Sequence, residues 1–399
     1  MVLVCGGIDM DHTSKTTRYD QRDVLTYRSQ LKPGTIEYET YYAMHPEFEE
    51  MDKKVRVHFD ESVASQIRLK HSPHDWLANA WVHSVKHSTG YILRNTVDGP
   101  VNEEKLDVDP NEISKKIKGL ARYLGAGIVG IGKLNPSWVY THHGQTQAEE
   151  WGKPVELDHK YAIVMGFPHT WDLWLTSAQT TIPAFMDDWQ YYNLMAATSV
   201  RLAAAIRDMG YSARAQIQSN YTCVMPALAV DAGLGEQCRI GICLSKEYGV
   251  AFRLNAVTTD LPLIPDPPAN LGLEDFCEKC DKCVEVCPSG ALSKKEKVEV
   301  NGRMVWKQDV YKCFRYWNAK GVSCSICRRA CPWSKPRTLP HRFVSGIAQR
   351  MPFLRNFLIW ADDRVYGKYP RLYPPPEWLQ GDTQEMSPGK RLLYWFDHI

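Results

Sequence analysis

Eight of the twelve cysteines in this 399-residue chain fall between Cys277 and Cys331; the others are Cys5, Cys223, Cys238 and Cys243. Cys277, Cys280, Cys283 and Cys287 read C-x2-C-x2-C-x3-C-P, closed by Pro288, and Cys313 is followed by Cys324, Cys327, Cys331 and Pro332. Three cysteines at intervals of three reach three corners of one iron–sulfide cube from a tight loop. The fourth, carried off by a turn that proline ends, ligates the other cube. One [4Fe–4S] cluster is therefore expected on Cys277, Cys280, Cys283 and Cys331, and a second on Cys287, Cys313, Cys324 and Cys327. Structural zinc sites also use CxxC pairs, but seldom with a third cysteine at the same interval and a Cys-Pro. Clustering inside so long a chain also points to metal rather than to secreted disulfides. Two cubes in one module form an electron relay, so an acceptor must lie elsewhere in the chain.

The stretches that could house the acceptor are legible by period. NEISKKIKGLARYLG (111–125) predicts a helix with Ile113, Ile117, Leu120 and Leu124 on one face, ended by Gly125. AGIVGIGKL and YAIVMGF (161–167) predict buried strands, Asp187–Met209 the longest helix, and Ala213–Gln218 and Val250–Val257 short strands. Between the last two lies AGLGEQCRIGI, whose glycines allow a backbone to approach a ligand closely. TTDLPLIPDPPAN (258–270), with four prolines, reads as a linker into the cysteine region. HPEFEEMDKKVRVHFD and the stretch VSGIAQRMPFLRNFLIWADDRVYG are helical candidates, and the Pro-rich YPRLYPPPEWLQGDTQEMSPGK reads as extended. GAGIVGIG (125–132) imitates a dinucleotide fingerprint but lacks the acidic residue on a second strand, and no GxxxxGK[ST] is present. Spacing alone reaches a two-cluster oxidoreductase with a cofactor domain.

Composition narrows the class. Lys+Arg 48 against Asp+Glu 46 leaves +2, so no global field draws in nucleic acid or an anionic membrane. Hydrophobic residues at 44% and charged residues at 24% suit a folded globular chain. No apolar run approaches the ~18–20 residues of a membrane span. MVLVCGGIDMDHTSK lacks the basic start and apolar stretch of a secretory signal. A cytoplasmic placement is expected for the chain as written, and a peripheral-membrane or exported one if a signal has been removed.

LNPSWVY (134–140), KYAIVMGF (160–167), YYNLMAATSVRLAAAIRDMGYSA (191–213), AGLGEQCRIG (232–241) and AFRLNAVTTDLPL (251–263) together resemble the corrinoid-dependent reductive dehalogenases. CFRYWNAKG (313–321), CPWSKP (331–336) and FLIWADDRVYGKYP (357–370) extend the resemblance, and RYDQRDVLTYRSQLKPGTIEYETYYAMHPE (18–47) resembles the family's N-terminal region more loosely. What this implies is an α+β protein: a nitroreductase-like, cobalamin-binding α/β core followed by a bacterial ferredoxin-like two-[4Fe–4S] module. The expected divisions are an N-terminal region over 1–108, the catalytic core over 109–268, the cluster module over 269–340, and a C-terminal helix and tail over 341–399. A base-off cobalamin, reduced to Co(I) through the clusters, would cleave a carbon–halogen bond and replace halide with hydrogen. The absence of a D-x-H-x-x-G loop is consistent with base-off binding.

Carried onto this sequence, the resemblance implies Tyr192 as proton donor, ahead of neighbouring Tyr191, with Arg253 supplying charge and binding leaving halide, and Asn220 facing the substrate. Corrinoid contacts are expected at Tyr140, Gly233, Gly235 and Arg239. Each has a plainer reading: a core tyrosine, an ion-paired arginine, a turn-capping asparagine. Trp171, Trp174, Phe185 and Trp189 suit the wall of a halocarbon pocket or an ordinary aromatic core, and His142 and His143 either a corrinoid edge or a solvent-facing pair. Asn255-Ala256 stands where the family often shows Cys-Lys. The implied partners are a small organohalide and a low-potential donor such as ferredoxin, flavodoxin or a membrane quinol chain. A homodimer is compatible with the reading, and nucleic acid is not expected. Epoxyqueuosine reductase, which acts on a tRNA base with the same cofactors, is the nearest rival, and a non-catalytic electron carrier is the rival from another class.

Overall fold

The computed structural model describes residues 18–56, 76–145, 149–180, 182–320 and 323–379. The segment read for a signal (1–15), the end of the amphipathic candidate beyond residue 56, the tail beyond residue 379 and the Phe185 side chain lie outside the described residues.

Three short helices open the chain: α1 (Leu25–Arg28), α2 (Ile36–Met44) and α3, over 46–56. α4 (Trp76–His87) runs into tighter and wider turns ending at Thr96. α5 (Pro110–Tyr123) starts where Asp109 accepts a hydrogen bond from the Glu112 N–H (2.9 Å) and Pro110 takes the first position, which needs no donor. The expected start at residue 111 moves forward for that reason.

β1 (Ile128–Lys133), β2 (Tyr161–Pro168), α6 (Trp171–Thr176), α7 (Ile182–Asp208), β3 (Ala213–Gln216), α8 (Met225–Asp231) and β6 (Phe252–Thr259) build the core, with β4 (Glu236–Gln237) and β5 (Cys243–Leu244) forming a two-residue ladder. The main sheet runs β1-β2-β6-β3, antiparallel at every pairing. Its strands are buried on both faces. Ala162, Val164 and Ala256 pack on the side of α8, while Ile131, Ile163, Met165, Phe167 and Val257 pack under α5 and α7. β6 takes Thr258 and Thr259 from the stretch read as linker, because they pair with Arg214 and Ala213 before the first proline arrives.

The glycines of β1 serve packing. A Cβ on Gly130 would drive into the Ala232 carbonyl, and one on Gly132 would stand 3.1 Å from the Ala232 nitrogen. The end of α8 lies directly on the strand, and this close approach accounts for the Gly-x-Gly that imitates a nucleotide loop.

The cysteine module comprises α9 (Leu273–Lys279), α10 (Lys282–Glu285), the antiparallel hairpin β7 (Leu292–Val300)–β8 (Arg303–Gln308), α11 (Val310–Lys320) and α12 (Ile326–Ala330). The hairpin turns on Asn301 and Gly302, both at positive φ (+45° and +78°), as a tight two-residue turn requires. The single helical stretch expected over 344–367 is two helices, α13 (Leu339–Arg350) and α14 (Arg355–Tyr366), parted at Pro352, which cannot donate to the preceding turn. Among the described residues no helix is long and apolar enough to cross a membrane.

Gly130→Ala should lower stability by about 1–3 kcal/mol through overpacking. Gly119→Ala, in α5 with open space around it, should raise stability by about 0.4–1 kcal/mol. Urea midpoints of the two variants check both, and equal midpoints would refute the packing account of β1.

Candidate functional site

The fold brings the motif cysteines together. Cys283 lies within electrostatic reach of Cys327 first and then of Cys331, Cys280 and Cys277, and Cys327 within reach of Cys324, Cys313 and Cys287. Burial first, and neighbouring sulfur second, pushes the thiols up: Cys277 to about 11, Cys280, Cys313 and Cys331 to about 12. Eight cysteine sulfurs gathered this way make a soft, all-thiolate donor set of the kind that holds iron–sulfur clusters. Among the described residues no three His, Cys, Asp or Glu side chains close on a single-ion site, whereas a cube spreads its ligands over its corners. The Gln179 side-chain amide donates to the Cys324 Sγ at 3.3 Å, a bond of the kind that tunes a cluster's potential.

Two periods bring the candidate chemistry together in the core. Along β6 the period of two sends Arg253, Asn255 and Val257 to the α7 side, opposite Phe167, Met165 and Ile163 of β2. Along α7 the helical period lines up Tyr192, Met195, Ala196 and Ser199. Asn255 joins the two elements: its amide donates to the Met195 carbonyl (2.9 Å) and to the Ser199 Oγ (2.7 Å). One pleat along, Arg253 Nη1 donates to the Tyr192 hydroxyl (3.3 Å), with its guanidinium 5.3 Å from the ring centroid. Tyr191 points elsewhere, its hydroxyl 2.9 Å from Thr170 Oγ1. Of the two adjacent tyrosines, Tyr192 is the one beside the arginine.

Burial raises the Tyr192 phenol well above its ordinary value, the Arg328 cation lowers it, and Tyr27 raises it again. Tyr192 therefore keeps its proton at neutral pH. Burial and then the Arg328 charge pull Arg253 down to about 9, while Asp187 opposes them. The Asp188 carboxylate ion-pairs with Arg253 directly.

Behind this pair lies a second set of groups that sequence reading did not single out. His169 Nδ1 meets the Asp187 carboxylate, and His169 Nε2 lies 3.1 Å from Arg328 Nη2. Arg328 also donates to the Val250 carbonyl (3.1 Å) and lies 4.6 Å over the Trp174 ring. Burial, then the Arg328 and Arg253 cations, holds His169 well below its ordinary value. Burial raises Asp187 to about 7 against the opposing pull of the same cations. Asp187-Asp188, adjacent acids in the second turn of α7 just before the tyrosines, was the only sequence signal for them.

The other expected residues divide. Tyr140 is fully buried, its ring 6.2 Å from Tyr221, and Tyr221 in turn shares a 2.7 Å hydroxyl contact with Tyr27. A Cβ on Gly233 would strike the Pro267 carbonyl, and one on Gly235 the Leu244 carbonyl, so both glycines serve close protein packing. Arg239, expected on the corrinoid, is buried against Trp306, where it donates to the Cys277, Ser293 and Lys294 carbonyls and braces the cluster module. Asn220, expected to face substrate, has both amide atoms engaged, accepting from Arg214 (2.6 Å) and donating to the Arg94 carbonyl (3.3 Å). Trp174 is fully buried and stacks on His169 (4.9 Å), while Trp189 meets the Tyr192 ring edge-on (5.5 Å). His142 is half-exposed beside Asp20, the solvent-side alternative. Buried polar atoms without a partner among the described residues include the Arg253 Nε, the Arg328 Nε, the Trp174 Nε1 and both amide atoms of Asn318. Such orphans suit a polar, amide-rimmed ligand as large as a corrinoid.

Comparison with known proteins agrees with the motifs. A 4Fe-4S dicluster domain model matches residues 276–335. The tetrachloroethene reductive dehalogenase of Sulfurospirillum multivorans is 30% identical over 296 residues, 65% of this chain and 58% of that protein. The solved structure of a B12-dependent reductive dehalogenase superposes with a TM-score of 0.64 at 30% identity, over 74% of this chain and 45% of that one. The epoxyqueuosine reductase of Cyclobacterium marinum matches a shorter stretch, 126 residues at 32% identity, 28% of this chain and 40% of that protein. The chain spans about half the length of the curated dehalogenases it matches. The resemblance to reductive dehalogenases read from the motifs is thus the one that sequence and structure comparison return.

The His169–Asp187 pair makes a testable statement about stability. In Asp187→Asn the buried His169, held below its ordinary value, is the only member of the pair that titrates, so below about pH 6.5 the unfolded state binds the extra proton and stability should rise with pH toward 6.5. Urea unfolding at pH 5 and 6.5 measures this, and a variant whose stability does not rise over that window would disprove that His169 is buried uncharged.

Proposed function

We propose that this chain carries the catalytic core and electron relay of a reductive dehalogenase, with a nitroreductase-like cobalamin-binding core over 109–268, the two-cluster module over 269–340, and flanking regions over 1–108 and 341–399. The observation that carries the reading is the buried Tyr192–Arg253 pair, with Arg328, the residue after Cys327, in electrostatic reach of Tyr192. Cys277, Cys280, Cys283 and Cys331 would hold one cluster and Cys287, Cys313, Cys324 and Cys327 the other, while Tyr140 and the backbone of the Gly233–Gly235 turn, whose Cβ sides are taken by Pro267 and Leu244, would border a base-off cobalamin. Bound, these groups deliver low-potential electrons, the cobalt reaching its Co(I) state.

The chain's own residues handle the proton, the charge and the water. In the net reaction a carbon–halogen bond breaks and a carbon–hydrogen bond forms; two electrons and one proton are consumed and halide leaves. The Tyr192 hydroxyl supplies the proton. Its phenolate, costly in so buried a place, is stabilised by the Arg253 Nη1–H and by the Arg328 charge. The same Arg253 offers a cation to the departing halide, while Asp188 keeps it charged and oriented. Tyr27, Tyr221 and Trp189 exclude water around the donor, so the proton comes from one atom rather than from solvent. Asn220 contributes through Arg214, which it orients, rather than by touching substrate.

The substrate class is a small organohalide, and the electrons come from a low-potential donor protein or membrane chain. Anaerobic reconstitution with iron, sulfide and cobalamin, followed by halide release from chlorinated, brominated and fluorinated aromatics and alkenes, tests the reading. Tyr192→Phe should retain cobalamin and lower halide release by about 10²–10⁴-fold. Undiminished release would remove Tyr192 from the mechanism. Cobalt uptake without halide release from any substrate would favour a tRNA-base reductase, and no cobalt uptake a bare electron carrier.

A further inference from the structure

We propose that the buried Asp187–His169 dyad is a positioning device that fixes Arg328 as a cation shared between the cluster at Cys327 and the Tyr192–Arg253 pair. A guanidinium has only N–H groups, so the His169 Nε2 that faces Arg328 Nη2 at 3.1 Å must present its lone pair. The ring proton then sits on Nδ1, where Asp187 accepts it. His169 is 8% exposed and Asp187 1%, so water does not compete for either partner.

Stacking on Trp174 (4.9 Å, 29° between planes) fixes the plane of the imidazole, and the same indole carries Arg328 on its face at 4.6 Å. The Val250 carbonyl takes a further Arg328 N–H at 3.1 Å. Arg328 is thereby held by α6, the residue after β2 and the approach to β6, although it belongs to α12, directly after Cys327. The groups that face this assembly are Asp187, Asp188 and Tyr191 from α7, Arg253 from β6 and Arg328 from α12.

The location gives the cation two effects of one sign. It lies within electrostatic reach of Cys327 and of Tyr192 together. Beside a cluster, a fixed positive charge favours the reduced, more negative state. Beside a phenol it favours the phenolate left when the proton departs. Arrival of an electron and loss of the Tyr192 proton are both eased by one guanidinium, and His169 decides where that guanidinium sits. His169 touches no reacting atom and acts as a positioning residue.

The inference rests on the cluster assignment, and on the dehalogenase reading only for the role of Tyr192. The decisive measurement therefore needs no organohalide: midpoint potentials of both clusters in the reconstituted full chain, from potentiometric titration followed by electron paramagnetic resonance. In His169→Phe, which keeps the stacking and loses both hydrogen bonds, the cluster of Cys287, Cys313, Cys324 and Cys327 should become harder to reduce. The expected change in its reduced-to-oxidised ratio at fixed potential is about tenfold, about 59 mV for one electron. The other cluster should move far less. His169→Gln, which restores an acceptor toward Arg328, should recover most of the shift. Arg328→Lys should stay near the parent and Arg328→Gln should fall with His169→Phe, a comparison that stands even if the phenylalanine variant fails to hold its clusters. Unmoved potentials, equal shifts in both clusters, or glutamine behaving like phenylalanine at position 169 would overturn the proposal. Potentials that shift as expected in a protein that releases no halide would sink the dehalogenase reading and leave the positioning role intact.

Discussion

Two guanidinium groups set deep in the structure, Arg253 on β6 and Arg328 on α12, impose the constraint on which the rest depends. A charge taken out of water is costly by several kcal/mol unless it is paired and hydrogen-bonded. Asp188 and the Tyr192 hydroxyl answer Arg253, and His169, the Val250 carbonyl and the Trp174 face answer Arg328. These answering groups come from α6, α7 and the ends of two strands. The cations can be accommodated only if the cluster module is seated on the core in one way.

Seating the cations requires a rigid floor, and the antiparallel sheet provides it. Both faces are buried, so strand alternation chooses between two packed sides rather than between core and water. Asn255, at the position where a Cys-Lys pair was expected by resemblance, ties β6 to α7 through the Met195 carbonyl and the Ser199 hydroxyl. On the other face the missing side chains of Gly130 and Gly132 let the end of α8 lie on β1. A slip of one residue in β6 would turn Arg253 away from Tyr192 altogether.

The N-terminal helices, which carry no chemical motif, hold the outer wall. Arg28 and Asp52 form a buried ion pair (3.0 Å) that also receives the Tyr311 hydroxyl (2.8 Å to Asp52), so the first segment is bolted to α11 two residues from Cys313. Tyr27 from the same segment reaches Tyr221. Gln21 bridges the Tyr221 carbonyl (2.8 Å) and the Gly144 N–H (2.9 Å). The N-terminal segment thus contacts the core through Tyr221 and Gly144 and the cluster module through Tyr311.

What could be read in the residues was what local physics dictates. Cysteine intervals follow from the size of an iron–sulfur cube, and the proposed division of the eight cysteines into two ligand sets rests on them. Hydrophobic patterning marked β2, α5 and most of α7, while the Asp109 cap and Pro110 set the start of α5 ahead of the expected one. The Asn301-Gly302 turn of the β7–β8 hairpin was equally present in the chain, as residues that tolerate positive φ. Tertiary structure alone decided what depends on partners distant in sequence. It set the Tyr192 hydroxyl, the one the resemblance already favoured, beside Arg253 and turned that of Tyr191 to Thr170. It packed Arg239 against the cysteine module and engaged Asn220 with Arg214. It also assembled His169, Asp187 and Arg328, 159 residues apart at the widest. No local pattern encodes such a set, because each member is an ordinary polar residue until burial removes water and leaves it the others as partners.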